Sequence, residues 1–278
     1  MPFNDQPRRS GCFSARLVIA IIFAVIGLST YYFNQQVNPV TGEKQRIGIT
    51  VEQEVALGAQ AAPQMAMQMG GTVSASDPQA QRVAAVGMNV VKNSSARSSP
   101  YPFRFHLIND NKTINAFALP GGQIFITRAL LEKITRDDQL AAVLGHEIGH
   151  VIHRHSAEHI AKGQLGQTLA AAFGIGASDD YRSSQTASYA AQMANQLVQL
   201  RFSRLDELES DEAGMRYMIQ AGYDPSGMLE LMQILAEASK DERPPAILST
   251  HPMPEERIRR IEELIRKAKA PAELADPK

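Results

Sequence analysis

Apolar residues recur along this chain with two periods, and the change of period marks out its elements. Leu17 to Phe33 is a dense apolar run. Asn34 to Gly48 is polar, with Pro39 and Gly42, and reads as a linker. From Thr50 the period becomes helical. Thr50 with Gln53 forms the pattern of a capping box, opening a helix to about Met69. Asp77-Pro78 starts a second helix to about Lys92, and Asn93 to Pro102 is a Ser/Pro loop. Strict alternation then predicts a strand at Phe103–Ile108. Two more strands follow at Thr113–Leu119 and Gln123–Thr127, joined by Pro120-Gly121-Gly122. After a short helix, Arg128–Ile134, Asp137 is placed to cap a long one. Its apolar positions are Leu140, Val143, Leu144, Ile148, Val151 and Ile152.

Residues 163–185 are rich in Gly, Ser and Gln and read as a mobile lid loop. Further helices are predicted from near Ala187, over Arg204–Ala221 and over Pro225–Ala238. Pro244-Pro245 and His251-Pro252-Met253-Pro254 frame a stiff loop. A charged helix at 255–269 carries one apolar stripe (Ile258, Ile261, Leu264, Ile265). The expected fold is mainly helical with one small sheet, an α+β domain over residues 49–270 followed by a tail at 271–278.

The first apolar run changes the picture most. No side chain from 17 to 42 is charged, and the 17 residues of Leu17–Phe33 are at the lower limit for a transmembrane helix. Arg8, Arg9 and Arg16 precede it, so residues 1–16 are expected in the cytoplasm and the remainder across an inner membrane, in the periplasm of a Gram-negative cell. Tyr31, Tyr32 and Phe33 stand where a signal peptidase needs small residues, which favours an uncleaved anchor. A net charge of −1 argues against a nucleic-acid partner. Cys12, the only cysteine, excludes an internal disulfide and a thiolate metal site, so any metal must be held by His, Asp or Glu.

Such residues are concentrated at His146-Glu-Ile-Gly-His150, within the long helix. Two histidines four apart share a helix face and can reach one Zn²⁺, with Glu147 beside them as general base for an activated water. Ser156 stands where a third histidine of the HExxHxxGxxH pattern would be, which excludes that solution. A carboxylate from the later helix is the other. Of Asp206, Glu207, Glu209, Asp211 and Glu212, the pair Glu207 and Asp211 is spaced i, i+4. One can bind metal while the other accepts from a ligand histidine, with Glu209 pointing away from both.

In combination these motifs are specific. They are Asn115-Ala-Phe-Ala-Leu-Pro-Gly-Gly122, then His146–His150, then Ser203-Arg-x-x-Glu207-x-x-x-Asp211, and finally Ser249-Thr-His-Pro252 with Arg257. Over about residues 50–265 the chain resembles the gluzincin metallopeptidases (family forty-eight) typified by the heat-shock protease HtpX, the CAAX prenyl protease and the periplasmic outer-membrane-assembly proteases. The resemblance implies a zincin-like domain with HExxH on a central helix beside an edge strand. It implies one Zn²⁺ held by His146, His150 and Glu207, with Asp211 behind a ligand histidine. It also places His251 and Arg257 near the metal, where a donor would stabilise an oxyanion or where His251 would bind the metal at rest. The strand at Asn115, Ala116 and Phe117 with the turn Pro120, Gly121 and Gly122 is implied to pair with an extended substrate. A single apolar span favours the periplasmic type over the prenyl protease. The expected activity is endoproteolysis of misfolded or envelope proteins. The rival expectation is an assembly factor that binds envelope clients, with latent proteolysis. His106, His153, His155 and His159 are expected to be structural or exposed.

Overall fold

Among the described residues, the longest uninterrupted burial runs through the helix carrying the motif, where every residue from Gln139 to Ile152 is buried. In this computed structural model, residues 11–177, 201–240, 244–253 and 255–269 are described. The elements in chain order are α1 (Gly11–Phe33), β1 (Gln35–Val37), β2 (Lys44–Arg46), α2 (Val51–Gln68), α3 (Pro78–Lys92), β3 (Arg104–Ile108), β4 (Ala116–Leu119), β5 (Gln123–Thr127), α4 (Arg128–Lys133), α5 (Asp137–Ile152), α6 (His155–Ala177), α7 (Arg204–Gln220), α8 (Ser226–Ala238), α9 (Ile247–Thr250) and α10 (Glu255–Lys269).

Helix α5 is the axis. It packs against α7, α8 and α3, and its sheet contacts are to β4 and β5. The sheet has the order β3-β5-β4, with β3 parallel and β4 antiparallel to β5. β4 is therefore an edge strand, as the resemblance implies, and the Pro-Gly-Gly turn joins it to β5 as a hairpin. Ile124 and Ile126 of β5 face the main core with α3 and α5, while Phe125 points to a second cluster under α2, with Met65 and Ile160.

The predicted helix starts are confirmed chemically. Thr50 and Gln53 bond reciprocally, Asp77 accepts from the amides of Gln79 and Ala80, and Ser203 and Asp206 form a further box at α7. By contrast, Asp137 does not cap α5: it is the first helical residue, after Arg136 at the N-cap, and Gln139 reaches back to accept from the amides of Thr135 and Arg136.

Two further expectations are overturned. The polar stretch 34–48 is not a linker: β1 and β2 form an antiparallel hairpin, and Ile47 after it is fully buried. Asn38 donates to the Ile152 carbonyl at 2.8 Å, and Gln45 donates to that of His153, so the hairpin satisfies carbonyls at the C-terminal end of α5. Nor is 163–177 a lid loop, because α6 runs through it as continuous helix. The segment lacks proline and carries the helix-favouring run Leu169-Ala170-Ala171-Ala172. It packs along α1, where a Cβ added to Gly27 would lie 2.7 Å from Thr168 Cγ2. The rest of the expected lid (178–185), the helix near Ala187, Pro254, residues 1–10 and the tail lie outside the described residues.

Arg154 turns the chain between α5 and α6 in the left-handed region, at φ 57°. Its buried guanidinium bonds Glu54 through Nε at 2.7 Å, Gln36 at 3.1 Å and the Ile49 carbonyl at 3.0 Å, fastening α2 and the hairpin to that turn. Along α1, apolar side chains from Leu17 to Leu28 are largely about half exposed. Among the described residues, no helix is long and apolar enough to cross a membrane.

Candidate active site

The geometry begins with glycine. A Cβ on Gly214 would lie 2.7 Å from the backbone nitrogen of His146, and one on Gly149 would lie 3.0 Å from Ser210 Cα. The absence of side chains at these crossing points lets α7 lie against α5 at nearly backbone contact. The carboxylates of α7 thereby reach the histidines of α5.

His146 Nε2 and His150 Nε2 are 3.0 Å apart. Glu207 stands opposite them, with Oε1 3.4 Å from His150 Nε2 and Oε2 3.6 Å from His146 Nε2. Donors held about 2.0–2.2 Å from a tetrahedral ion are about 3.4 Å from one another, so this spacing suits a Zn²⁺. The unshared pairs of these atoms face one another, an arrangement that costs free energy without a cation between them. All three side chains are buried. His150 is held neutral, its pKa well below the ordinary value, chiefly by burial. For Glu207 burial acts in the opposite sense, but the charge of His251 beside it lowers its pKa and keeps the carboxylate ionised. Neutral imidazole and ionised carboxylate are the ligand forms.

The outer nitrogens of the two histidines are held differently. His146 Nδ1 donates to Asp211 Oδ1 at 2.8 Å, and Arg257 grips Asp211 through Nε and Nη2, both at 2.7 Å. His150 Nδ1 lies 2.9 Å from His155 Nδ1, and His155 Nε2 lies 3.1 Å from Glu209 Oε2. With His150 Nε2 facing the other donors, its proton sits on Nδ1. His155 then accepts there and donates from Nε2 to Glu209.

Glu147 is buried, and neither carboxylate oxygen has a hydrogen-bond partner among the described residues. Burial raises its pKa, as suits a group that must take up and release a proton. His251 Nδ1 lies 2.9 Å from Glu207 Oε1 and 3.3 Å from His146 Nε2, so this imidazole enters the donor cluster itself. Glu207 and Glu147 raise its pKa against the effect of burial. Arg257 does not present a free face. Besides Asp211 it contacts Glu207 Oε2 and donates to the Pro252 carbonyl at 2.9 Å.

The implied substrate residues are divided. The Asn115 backbone pairs with Thr127, and Ala116 is buried against the main core. Phe117 turns to the other side and stacks on Phe125 at 4.9 Å. Gly121 and Gly122 take φ of 77° and 97° in the hairpin turn, and Gly121 sits against the α2 backbone at Glu54 and Val55. The turn thus packs on α2, and no residue of it lies in the donor cluster.

Sequence reasoning missed two neighbours. Phe202 stacks on the His150 ring at 4.0 Å, and its amide donates to the Thr250 carbonyl, tying the start of α7 to the His251 loop. Its only signal was an aromatic residue immediately before a capping serine. His155 was read as structural or exposed. It is five residues past His150, off the ligand face of a continuous helix, and the left-handed turn at Arg154 brings it back.

A family model, Peptidase family M48, matches residues 77–265. This chain belongs to peptidase family M48. The converged residues, from His146 to Arg257, all lie within the matched segment. The Beta-barrel assembly-enhancing protease of Escherichia coli (strain K12) is 36% identical over 184 residues, 64% of this chain and 37% of that protein. The Mitochondrial metalloendopeptidase OMA1 of Schizosaccharomyces pombe is 30% identical over 255 residues, 91% of this chain and 73% of its own length. The OMA1 protein of Saccharomyces cerevisiae is 29% identical over 184 residues, 63% of this chain and 50% of its own length. The chain therefore spans little more than a third of the length of the first of these relatives.

Proposed function

We propose that this M48 chain is a membrane-tethered zinc endopeptidase acting on misfolded or envelope proteins, with His146, His150 and Glu207 as the metal ligands. The convergence of His146 Nε2, His150 Nε2 and Glu207 carries the reading. Zinc, when bound, supplies Lewis-acid activation of water and of the scissile carbonyl. Glu147 takes a proton from the attacking water and delivers it to the departing amine. Asp211 fixes the Nδ1 tautomer of His146. Arg257 braces Asp211 and Glu207, which leaves His251 as the group able to donate to the oxyanion once it withdraws from the cluster. β4 pairs with no other strand on its outer edge among the described residues, so an extended substrate can add there by main-chain bonding.

The tether is α1. Its uncharged run, 17–33, has half-exposed apolar side chains that favour lipid over water. At about 1.5 Å per residue it covers about 26 Å, slightly less than a typical hydrocarbon core. The proposed orientation puts residues 1–16 in the cytoplasm and the catalytic domain across the membrane. The relatives' names, a β-barrel assembly-enhancing protease and a mitochondrial metalloendopeptidase, support endoproteolysis as the activity. Glu147→Gln in cells tests it against the rival reading: an assembly factor keeps its cellular role in this variant, while an endopeptidase loses it together with cleavage of an unfolded protein.

A further inference from the structure

A second group of donors lies beside the first. His153, His155 and Glu209 offer one nitrogen or oxygen each, all within 4.8 Å of one another. His155 Nε2 is 3.1 Å from Glu209 Oε2, and His153 Nδ1 is 3.6 Å from the same oxygen. These values bracket the donor spacing of about 3.4 Å around a tetrahedral zinc. Glu43, in the N-terminal hairpin, brings Oε2 to 3.9 Å from His153 Nδ1 and can complete the set.

The observation that points to a ligand is His153 itself. The residue is only 8% exposed, yet neither ring nitrogen has a hydrogen-bond partner among the described residues. A buried imidazole with both nitrogens unmatched is costly unless something binds there. The carboxylates beside it, Glu209 and Glu43, are 48% and 57% exposed, so a cation can enter from solvent.

We propose that His153, His155 and Glu209, with Glu43, form a second and weaker Zn²⁺ site whose occupation inhibits the peptidase. The coupling follows from proton placement, and it rests on the reading that His150 holds the catalytic metal through Nε2. In the active arrangement His150 Nδ1–H donates to His155 Nδ1, and the His155 proton is on Nε2, directed at Glu209. Zinc needs the lone pair on His155 Nε2. Binding therefore moves that proton from Nε2 to Nδ1, where Ser210 Oγ at 3.3 Å accepts it. Two N–H groups then face each other across the 2.9 Å between His150 and His155. His150 loses the acceptor that orients it. Loss of such a partner typically weakens a metal site about 10–100-fold.

The test uses the full chain carrying one zinc, titrated with further Zn²⁺ while metal stoichiometry and casein cleavage are followed. A second, weaker equivalent is expected to bind, with cleavage falling as it does. In His153→Ala the second equivalent should be lost, basal cleavage kept, and the inhibiting zinc concentration raised at least about tenfold. Glu209→Gln, which keeps an acceptor for His155 but removes the ligand charge, should likewise lose the second equivalent, read as metal stoichiometry, if His153→Ala does not fold. His146→Ala should lose the tight equivalent and keep the weak one, which separates failure of this proposal from failure of the catalytic assignment. One zinc only in wild type, or a second equivalent and inhibition unchanged in both His153→Ala and Glu209→Gln, overturns the second site.

Discussion

Asn38 donates its side-chain amide to the carbonyl oxygen of Ile152, 2.8 Å away and 114 residues further along the chain. Ile152 is the last residue of the metal-motif helix, so a residue a few positions past the apolar run serves as a cap for the catalytic element. The same amide bonds Gln45, and Gln45 bonds the His153 carbonyl. The hairpin that follows α1 is thereby fastened to the end of the metal-motif helix.

This joint makes the starting residue of a soluble fragment critical. A fragment beginning at residue 34 should keep the caps, whereas one beginning at 48 loses both together with the Gln36–Arg154 contact. At roughly 0.5–1.5 kcal/mol per hydrogen bond, the shorter fragment should be about 2–4 kcal/mol less stable. Urea unfolding of the two fragments, and of Asn38→Ala within the longer one, measures this. Equal midpoints would restore the linker reading.

The hairpin was hidden from sequence for a physical reason. Each strand has only three residues, and the sole buried position, Gln45, is polar, so neither shows an apolar alternation in the sequence. What holds the hairpin is polar: Asn38 and Gln45 meeting helix carbonyls. α6 was hidden differently, because its glycines read as loop residues although the helix packs along α1. By contrast, α2, α3, α5 and α7 were legible because caps and apolar stripes are local signals. Glu207 and Asp211 were legible as a pair from i, i+4 spacing, their division of roles being implied only by the family resemblance. His155 was not, because its role depends on the turn at Arg154, and Glu209 was set aside by a helix-face argument that ignored the partner beyond that turn.

The third ligand is tested by charge removal on α7. Glu207→Ala should lower Zn²⁺ affinity strongly, since it deletes one of three donors. Glu209→Ala should retain the tight equivalent with at most about a 10–100-fold loss, transmitted through His155. Competition with a chromogenic chelator reads both. Full affinity in Glu207→Ala would remove that carboxylate from the site.

Gly214 carries a prediction about geometry. Its Cβ would meet the His146 nitrogen at 2.7 Å and the Gly145 carbonyl carbon at 2.8 Å, both backbone atoms that cannot swing away. Gly214→Ala must therefore push α7 from α5, and overpacking of this kind costs about 1–3 kcal/mol. The displacement also separates Glu207 from the histidines, so zinc affinity should fall with stability. A variant with wild-type zinc affinity would show that the crossing is looser than drawn.

Glu147→Gln should keep fold and zinc while cleavage of casein drops about 10²–10⁴-fold, because the amide cannot accept the water proton. The side chain is buried and makes no hydrogen bond among the described residues, so the swap breaks none. Activity within a few-fold of wild type would exclude Glu147 as the base.

His251 has two possible jobs that cannot be done at once. In this conformation its Nδ1 lies among the donors, 2.9 Å from Glu207 and 3.3 Å from His146 Nε2, where it occupies the approach a substrate carbonyl needs. The loop bearing it is tied down by the Arg257 contact to the Pro252 carbonyl and by the Phe202 amide on Thr250. A substrate adding to the edge of β4 approaches the same loop, since the Ile247 amide donates to the Ile114 carbonyl just before that strand. Binding there can lift the loop and withdraw the imidazole. Withdrawn, His251 is free to donate to the oxyanion. His251→Ala separates the two jobs by the sign of its effect. A rise in basal casein cleavage identifies His251 as an inhibitory fourth ligand. A fall of about 10²–10³-fold in kcat, with zinc retained, identifies it as the oxyanion donor. Unchanged cleavage and unchanged zinc affinity together would leave His251 with neither role.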